Sequence, residues 1–152
     1  MTDTHHGPVI VVEDSDEDWD TVCQAARQGG YEARLQRVLD GDTCISLLHR
    51  SSGRDRAAQA PMPALVILDL NLPGTDGREV IVAIKGDTQL RALPVVVCTT
   101  SSNPRDIAFC YAAGVNAFHV KPVGHDHHLQ VVRDLLDYWL AKARLPERAA
   151  VP

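Results

Sequence analysis

Apolar residues gather into five short runs, Pro8–Val12, Ala33–Val38, Ala64–Leu68, Leu93–Cys98 and Asn116–Val120. Three of them contain VIVV, LVIL and LPVVVC, nearly continuous and rich in β-branched residues. Such runs predict strands buried on both faces, as in a parallel sheet with helices on each side. The intervals carry helical spacing. Trp19, Val22, Cys23 and Ala26 make one helix face. Ser15-Asp16-Glu17-Asp18 before them reads as a capping box with an acidic first turn, and Gly29-Gly30 ends the helix. A second helix spans roughly Asp42–Arg50, with Cys44, Leu47 and Leu48. A third starts near Gly77 and runs through Val80, Ile81 and Ile84. A fourth opens at Asn103-Pro104, a cap followed by proline in the first turn, and closes at Ala113-Gly114. The fifth runs from about His125 to Lys142. Five β-α repeats with right-handed crossovers predict an α/β doubly wound sheet.

The 152 residues fit one domain. The expected limits are 8–143, with a flexible N-terminus over 1–7 and a tail over 144–152. Ser51–Pro63 is polar and proline-containing, and is expected to be a surface loop. One domain uses up the chain, so no DNA-binding output domain is expected. No window is apolar enough for a membrane span, and Met1–Gly7 has no signal-peptide core, so the cytoplasm is the expected location. Net charge is −5, and Arg50, Arg54 and Arg56 are scattered, which argues against nucleic-acid binding. Cys23, Cys44, Cys98 and Cys110 lie in separate apolar stretches, as small hydrophobes rather than a zinc site.

Polar residues then follow four of the strands: Glu13-Asp14, Asp69, Thr99-Thr100 and Lys121. In an open α/β sheet these ends share one edge, and ligands bind there. Two carboxylates ~4 Å apart repel by about 4 kcal/mol at an effective dielectric near 20. The cluster must hold a proton or a cation, and a hard oxygen set suits Mg²⁺. Asp69 could act as a carboxylate nucleophile toward phosphorus. Lys121 and the Thr99 hydroxyl could hold phosphoryl oxygens.

The motifs VVED at 11–14, LDLNLPGTDG at 68–77, VVVCTTS at 95–101 and FHVKP at 118–122 resemble the receiver domain of bacterial response regulators, across essentially the whole chain. The resemblance implies a flavodoxin-like sheet of order 2-1-3-4-5. It implies Asp69 as phosphoacceptor, with phosphate from a sensor histidine kinase. It implies Glu13 and Asp14 as the acidic pair, Asp14, Asp69 and the Asn71 carbonyl as Mg²⁺ ligands, and Lys121 as the phosphate partner. Thr99 and Phe118 would form the switch. The Lys121–Pro122 bond would be cis. Phe118 departs from the commoner tyrosine, so the switch would read out by packing alone. DLNLPGTDGREV, VVVCTTSSNPRDI and the ending YWLAKARLP look like the stand-alone regulators paired with phytochrome-type kinases.

Other readings leave marks of their own. A haloacid-dehalogenase-like phosphohydrolase would carry a second aspartate two residues after the nucleophile, where this chain has Asn71, so slow self-dephosphorylation at most is expected rather than enzyme turnover. A purely structural module would have no use for the set Asp14, Asp69, Thr99 and Lys121. Asp16, Glu17 and Asp18 read as helix capping, and Asp76 as a turn or cap. His125, His127 and His128 read as an exposed helix start, with a metal or pH-sensing role as the alternative. On the fifth helix Leu129, Val132, Leu136, Trp139 and Leu140 form one stripe, and Val131, Leu135 and Tyr138 a second. This arc of roughly 200° exceeds the ~100° a core-facing helix needs. It predicts a homodimer interface through Val131, Leu135 and Tyr138, on the face of the fourth helix, fifth strand and fifth helix.

Overall fold

The computed structural model describes residues 7–52 and 61–146. The expectations for the first six residues, the middle of the Ser51–Pro63 loop and the end of the tail lie outside these. Five strands, β1 Val9–Val12, β2 Leu35–Val38, β3 Leu65–Leu68, β4 Val95–Thr99 and β5 Ala117–Val120, pair in parallel in the order β2-β1-β3-β4-β5. Each falls inside one of the five apolar runs, except that β4 extends one residue past its run to Thr99. The helices are α1 Asp16–Gly29, α2 Gly41–Ser51, α3 Gly77–Lys85, α4 Pro104–Ala113 and α5 His125–Asp137.

Alternating strand residues feed two cores. Ile10, Val12, Val66, Leu68, Val95 and Val97 meet α2, α3 and α4. Val9, Val11, Leu65, Ile67, Val96 and Cys98 meet α1 and α5. β1, β3 and β4 are therefore buried on both faces, which is why their sequences do not alternate with polar residues. Each fully buried Val, Leu or Ile contributes about 1.5–3 kcal/mol of transfer free energy.

Local signals set the helix ends. Ser15, Asp40, Asp76 and Asn103 each accept a backbone N–H as N-caps of α1 to α4. Gly30 and Gly114 close α1 and α4 in the left-handed region, at φ 81° and 108°. Gly77 is forced by crowding: a Cβ there would sit 2.5 Å from the Asp69 carbonyl oxygen.

Four expectations are corrected. The buried stripe of α1 is Thr21, Val22, Ala25 and Ala26, with Trp19 and Cys23 only partly covered. The capping box is half made: Ser15 accepts the Asp18 N–H, but the Ser15 N–H goes to Glu13 Oε2 at 3.3 Å. The fifth helix ends in a π-helical turn over Tyr138–Lys142, closed by the Ala143 N–H on the Tyr138 carbonyl. The Lys121–Pro122 bond is trans. The two isomers of a bond before proline differ intrinsically by only about 0.5–1 kcal/mol, so the dipeptide alone does not decide between them.

Candidate functional site at the carboxyl ends of the strands

Parallel pairing brings the carboxyl ends of β1, β3, β4 and β5 to one edge. Glu13, Asp69, Thr99 and Lys121, one from each, are all buried there, whereas Asp14 is exposed. Arg37 on β2 donates to the Glu13 carbonyl at 3.0 Å, and Trp19 packs under its guanidinium. Asp69 Oδ1 accepts the Asn71 N–H at 3.1 Å, which fixes the carboxylate against the loop that follows β3.

Lys121 is the centre of the cluster. Its Nζ donates to Glu13 Oε1 at 2.6 Å, Asp18 Oδ2 at 2.7 Å and Asp69 Oδ2 at 2.9 Å. Burial alone would push this ammonium down, but its bonds to Asp18, Glu13 and Asp69 outweigh burial and hold it above the ordinary lysine range. Burial pushes the Glu13 carboxyl up to about 7, against the pull of Lys121 and with the charge of Asp69 adding to the rise. One ammonium does not neutralise the carboxylates of Glu13, Asp14, Asp18 and Asp69, so the cluster is poised to hold a proton or a cation.

The donors fit a hard cation. Glu13, Asp14 and Asp69 each offer a carboxylate oxygen, all within 4.8 Å of one another, and among the described residues this is the one such grouping of metal-ligating side chains. Asn71, two residues after Asp69, is tied to the cluster by its N–H on Asp69 Oδ1.

The remaining expected residues fall as follows. Thr99 is fully buried, and its hydroxyl accepts the Ser101 N–H at 3.4 Å. Phe118 lies half-buried on β5 against the α2–α3–α4 core, and its N–H donates to the Tyr111 hydroxyl of α4 at 3.1 Å. Asp76 caps α3 as expected. His125 is exposed and bonds Gln24, whereas His128 is buried, so the two form no shared site. Burial holds His128 below its ordinary pKa. The cysteines are free, and burial raises the Cys44 and Cys98 thiols to about 12, which suits inert packing.

Three expectations fail on burial, the first being the exposed helix start, since His128 is buried while His125 and His127 are exposed. Asp18 is not only a helix cap, because its carboxylate turns into the site. The signal was present in its spacing: Asp18 stands four residues before Val22, on the buried stripe of α1, where a solvated cap residue does not belong. Leu135 is buried at 3 % exposure with His128, Val132 and Leu136, so it belongs to the core and not to an interface. It sits where the two stripes meet, and helical spacing from Val132 draws it inward. Val131 is half-buried, and only Tyr138 of the three is well exposed.

Residues 9–133 match the model of the response regulator receiver domain. The chain belongs to that family. It is 33 % identical to the probable methanogenesis regulatory protein FilR2 of Methanothrix harundinacea, over 91 % of this chain and 86 % of that protein. It is 32 % identical to response regulator Rcp1 of Synechocystis, over 96 % of this chain and 99 % of Rcp1. The Mn²⁺-bound crystal structure of Rcp1 superposes with a TM-score of 0.83 at 31 % identity, covering 93 % of this chain and 99 % of that one. The phosphorylated cyanobacterial phytochrome response regulator RcpA superposes with a TM-score of 0.85 at 34 % identity, with the same coverage. Two-component signalling is therefore the setting in which the strand-end cluster works. Among the described residues no helix is long and apolar enough to cross a membrane.

Proposed function

We propose that the protein is a single-domain response regulator of the cytoplasm. In this reading Asp69 takes a phosphoryl group from the phosphohistidine of a partner kinase of the phytochrome type, with Mg²⁺ as cofactor. The observation that carries the proposal is the Asp69 carboxylate itself, buried at the shared strand edge 2.9 Å from the Lys121 ammonium. An Asp69 oxygen attacks phosphorus, the phosphorus–nitrogen bond breaks, and the imidazole leaves with its electron pair. Lys121 then pairs with a phosphoryl oxygen, and Thr99 supplies a hydroxyl to another. A divalent ion held by Glu13, Asp14, Asp69 and the Asn71 carbonyl would neutralise the carboxylates and the incoming phosphate. The signal would pass to Phe118 by packing, since that side chain has no hydroxyl.

The kinship with phytochrome regulators supports the choice of kinase. The test is transfer of labelled phosphate from a phytochrome-type histidine kinase in Mg²⁺. The expected product is acid-labile and hydroxylamine-sensitive. No label from this kinase or from acetyl phosphate would overturn the reading. The protein should hydrolyse no added phosphate ester, and should lose its own phosphoryl group only slowly.

Cation affinity should depend on pH through Glu13. Burial raises its pKa from the ordinary 4.5 to about 7, so near neutrality a proton competes with the cation. Affinity should rise with pH and level off above 7, with a loss approaching tenfold per unit below it. Calorimetric titration with Mn²⁺ at pH 6, 7 and 8 checks this, and Glu13→Gln should flatten the profile. The same shift acts on the cation-free fold. The native state holds a proton that the unfolded state has released between pH 4.5 and 7, so the stability Glu13 contributes is present below 4.5 and lost as pH rises through 7.

A homodimer through α4, β5 and α5 is the second element of this reading. Phe109 and Tyr111 on α4, Val120 on the edge strand β5 and Tyr138 after α5 are all large, apolar and exposed. A second copy would cover them. Light scattering should show a dimer that Val120→Asp or Tyr138→Asp weakens while phosphorylation continues. A monomer at high concentration, phosphorylated or not, would exclude it.

A further inference from the structure

We propose that Asp18 is a positioning residue that holds the Lys121 ammonium in place while Asp69 reacts. The inference rests on the reading of Asp69 as phosphoacceptor. An ammonium has three N–H donors, and all three of Lys121's are committed to carboxylates. Two of those carboxylates, Glu13 and Asp69, belong to the cation-binding set. Asp69 is also the group that becomes esterified. Asp18 lies outside that set, so it is the one partner that the chemistry leaves to Lys121.

Its placement suits this task. Asp18 sits in the first turn of α1, and its N–H is pinned by the Ser15 hydroxyl at 3.2 Å. Its side chain is 26 % exposed, whereas that of Asp16, on the same turn, is 90 % exposed and faces solvent toward Arg37. The second Asp18 oxygen lies 3.9 Å from Nδ1 of the buried His128, which backs the carboxylate from α5. At 2.7 Å the bond to Lys121 is a short, charge-assisted one. α1 and α5, which pack on each other, thereby grip the lysine at the end of β5.

Two readouts test the role. The first needs no phosphate: NMR of the Lys121 ammonium protons, whose exchange with water should quicken at least tenfold in Asp18→Asn. Asp18→Glu keeps the charge and should exchange more slowly than the asparagine variant. It carries the same measurement if that variant does not fold, then exchanging faster than the wild type. The second readout is the rate of Asp69 phosphorylation by acetyl phosphate. Asp18→Asn should lower the saturated rate about tenfold and leave the half-saturating donor concentration nearly unchanged. In a Lys121→Ala background it should have no further effect, because the two act as one unit. An unchanged ammonium exchange rate would overturn the proposal. So would an equal slowing in the Lys121→Ala background, which would mark a structural effect independent of the lysine. If the wild type itself takes up no phosphate, the reading of Asp69 fails while ammonium exchange still decides the role of Asp18.

Discussion

Asparagine at position 69 should end covalent phosphoryl uptake and leave a folded protein of equal or greater thermal stability. The carboxamide matches the carboxylate in shape but lacks the anionic oxygen that attacks phosphorus. Thr99 and Lys121 cannot replace it, since neither is a competent nucleophile for a stable acyl phosphate. The fold should tolerate the change because Asp69 stands in a site with excess negative charge. Lys121 keeps Glu13 at 2.6 Å and Asp18 at 2.7 Å, so no buried ammonium is stranded. Asp69 also helps to raise the Glu13 carboxyl, so its neutralisation should bring the Glu13 pKa down. Cation affinity should fall, because one of the charged oxygen donors becomes neutral. Intact-protein mass after treatment with acetyl phosphate reads the first effect, and a thermal melt reads the second. Phosphate uptake by the Asp69→Asn protein at the wild-type rate would remove Asp69 from its assigned role. A melt well below the wild type would mean that the carboxylate is chiefly a structural partner of Lys121.

The sheet and most of the site were readable from the sequence because both rest on short-range signals. A run such as VIVV or LVIL states its own double burial, and the polar residue ending each run is placed by the strand before it. Parallel order then brings Glu13, Asp69, Thr99 and Lys121 together without further information. Asp18 was harder. Its role depends on Lys121, 103 positions away, and its local context of Ser15 and three first-turn acids fits an ordinary cap. The spacing from Asp18 to Val22 carried the signal, but it competes with the first-turn acids on either side, and only the burial of Val22, Ala25 and Ala26 decides between them. The π-helical turn after Asp137 was equally hidden, because apolar spacing over so short a terminal segment does not distinguish an α-turn from the wider one.

Leu135→Asp should unfold the protein, whereas Tyr138→Asp should leave its stability within about 1 kcal/mol of the wild type. The two positions share one apolar arc in the sequence and opposite fates in the fold. Leu135 is 3 % exposed and packs with Val9, Val11, Ile67, Val132 and Leu136, while Tyr138 is 53 % exposed. Truncation of a leucine in such a core costs about 2–5 kcal/mol. A carboxylate adds the cost of an unpaired buried charge beside a pocket lined by Glu13, Asp18 and Asp69, whose one ammonium, Lys121, already has its three donors on those carboxylates. Against a total stability of about 5–15 kcal/mol, the sum is enough to depopulate the native state at 37 °C. Tyr138, more than half exposed, gives up an edge-on contact with Trp139 at a centroid distance of 5.2 Å. Urea unfolding of Leu135→Ala and Tyr138→Asp, beside circular dichroism of Leu135→Asp, separates the cases. A Leu135→Asp protein that melts with wild-type cooperativity and midpoint would return Leu135 to the surface. Loss of dimer in such a variant can otherwise be credited only to loss of the fold, so the interface must be tested at Val120 and Tyr138.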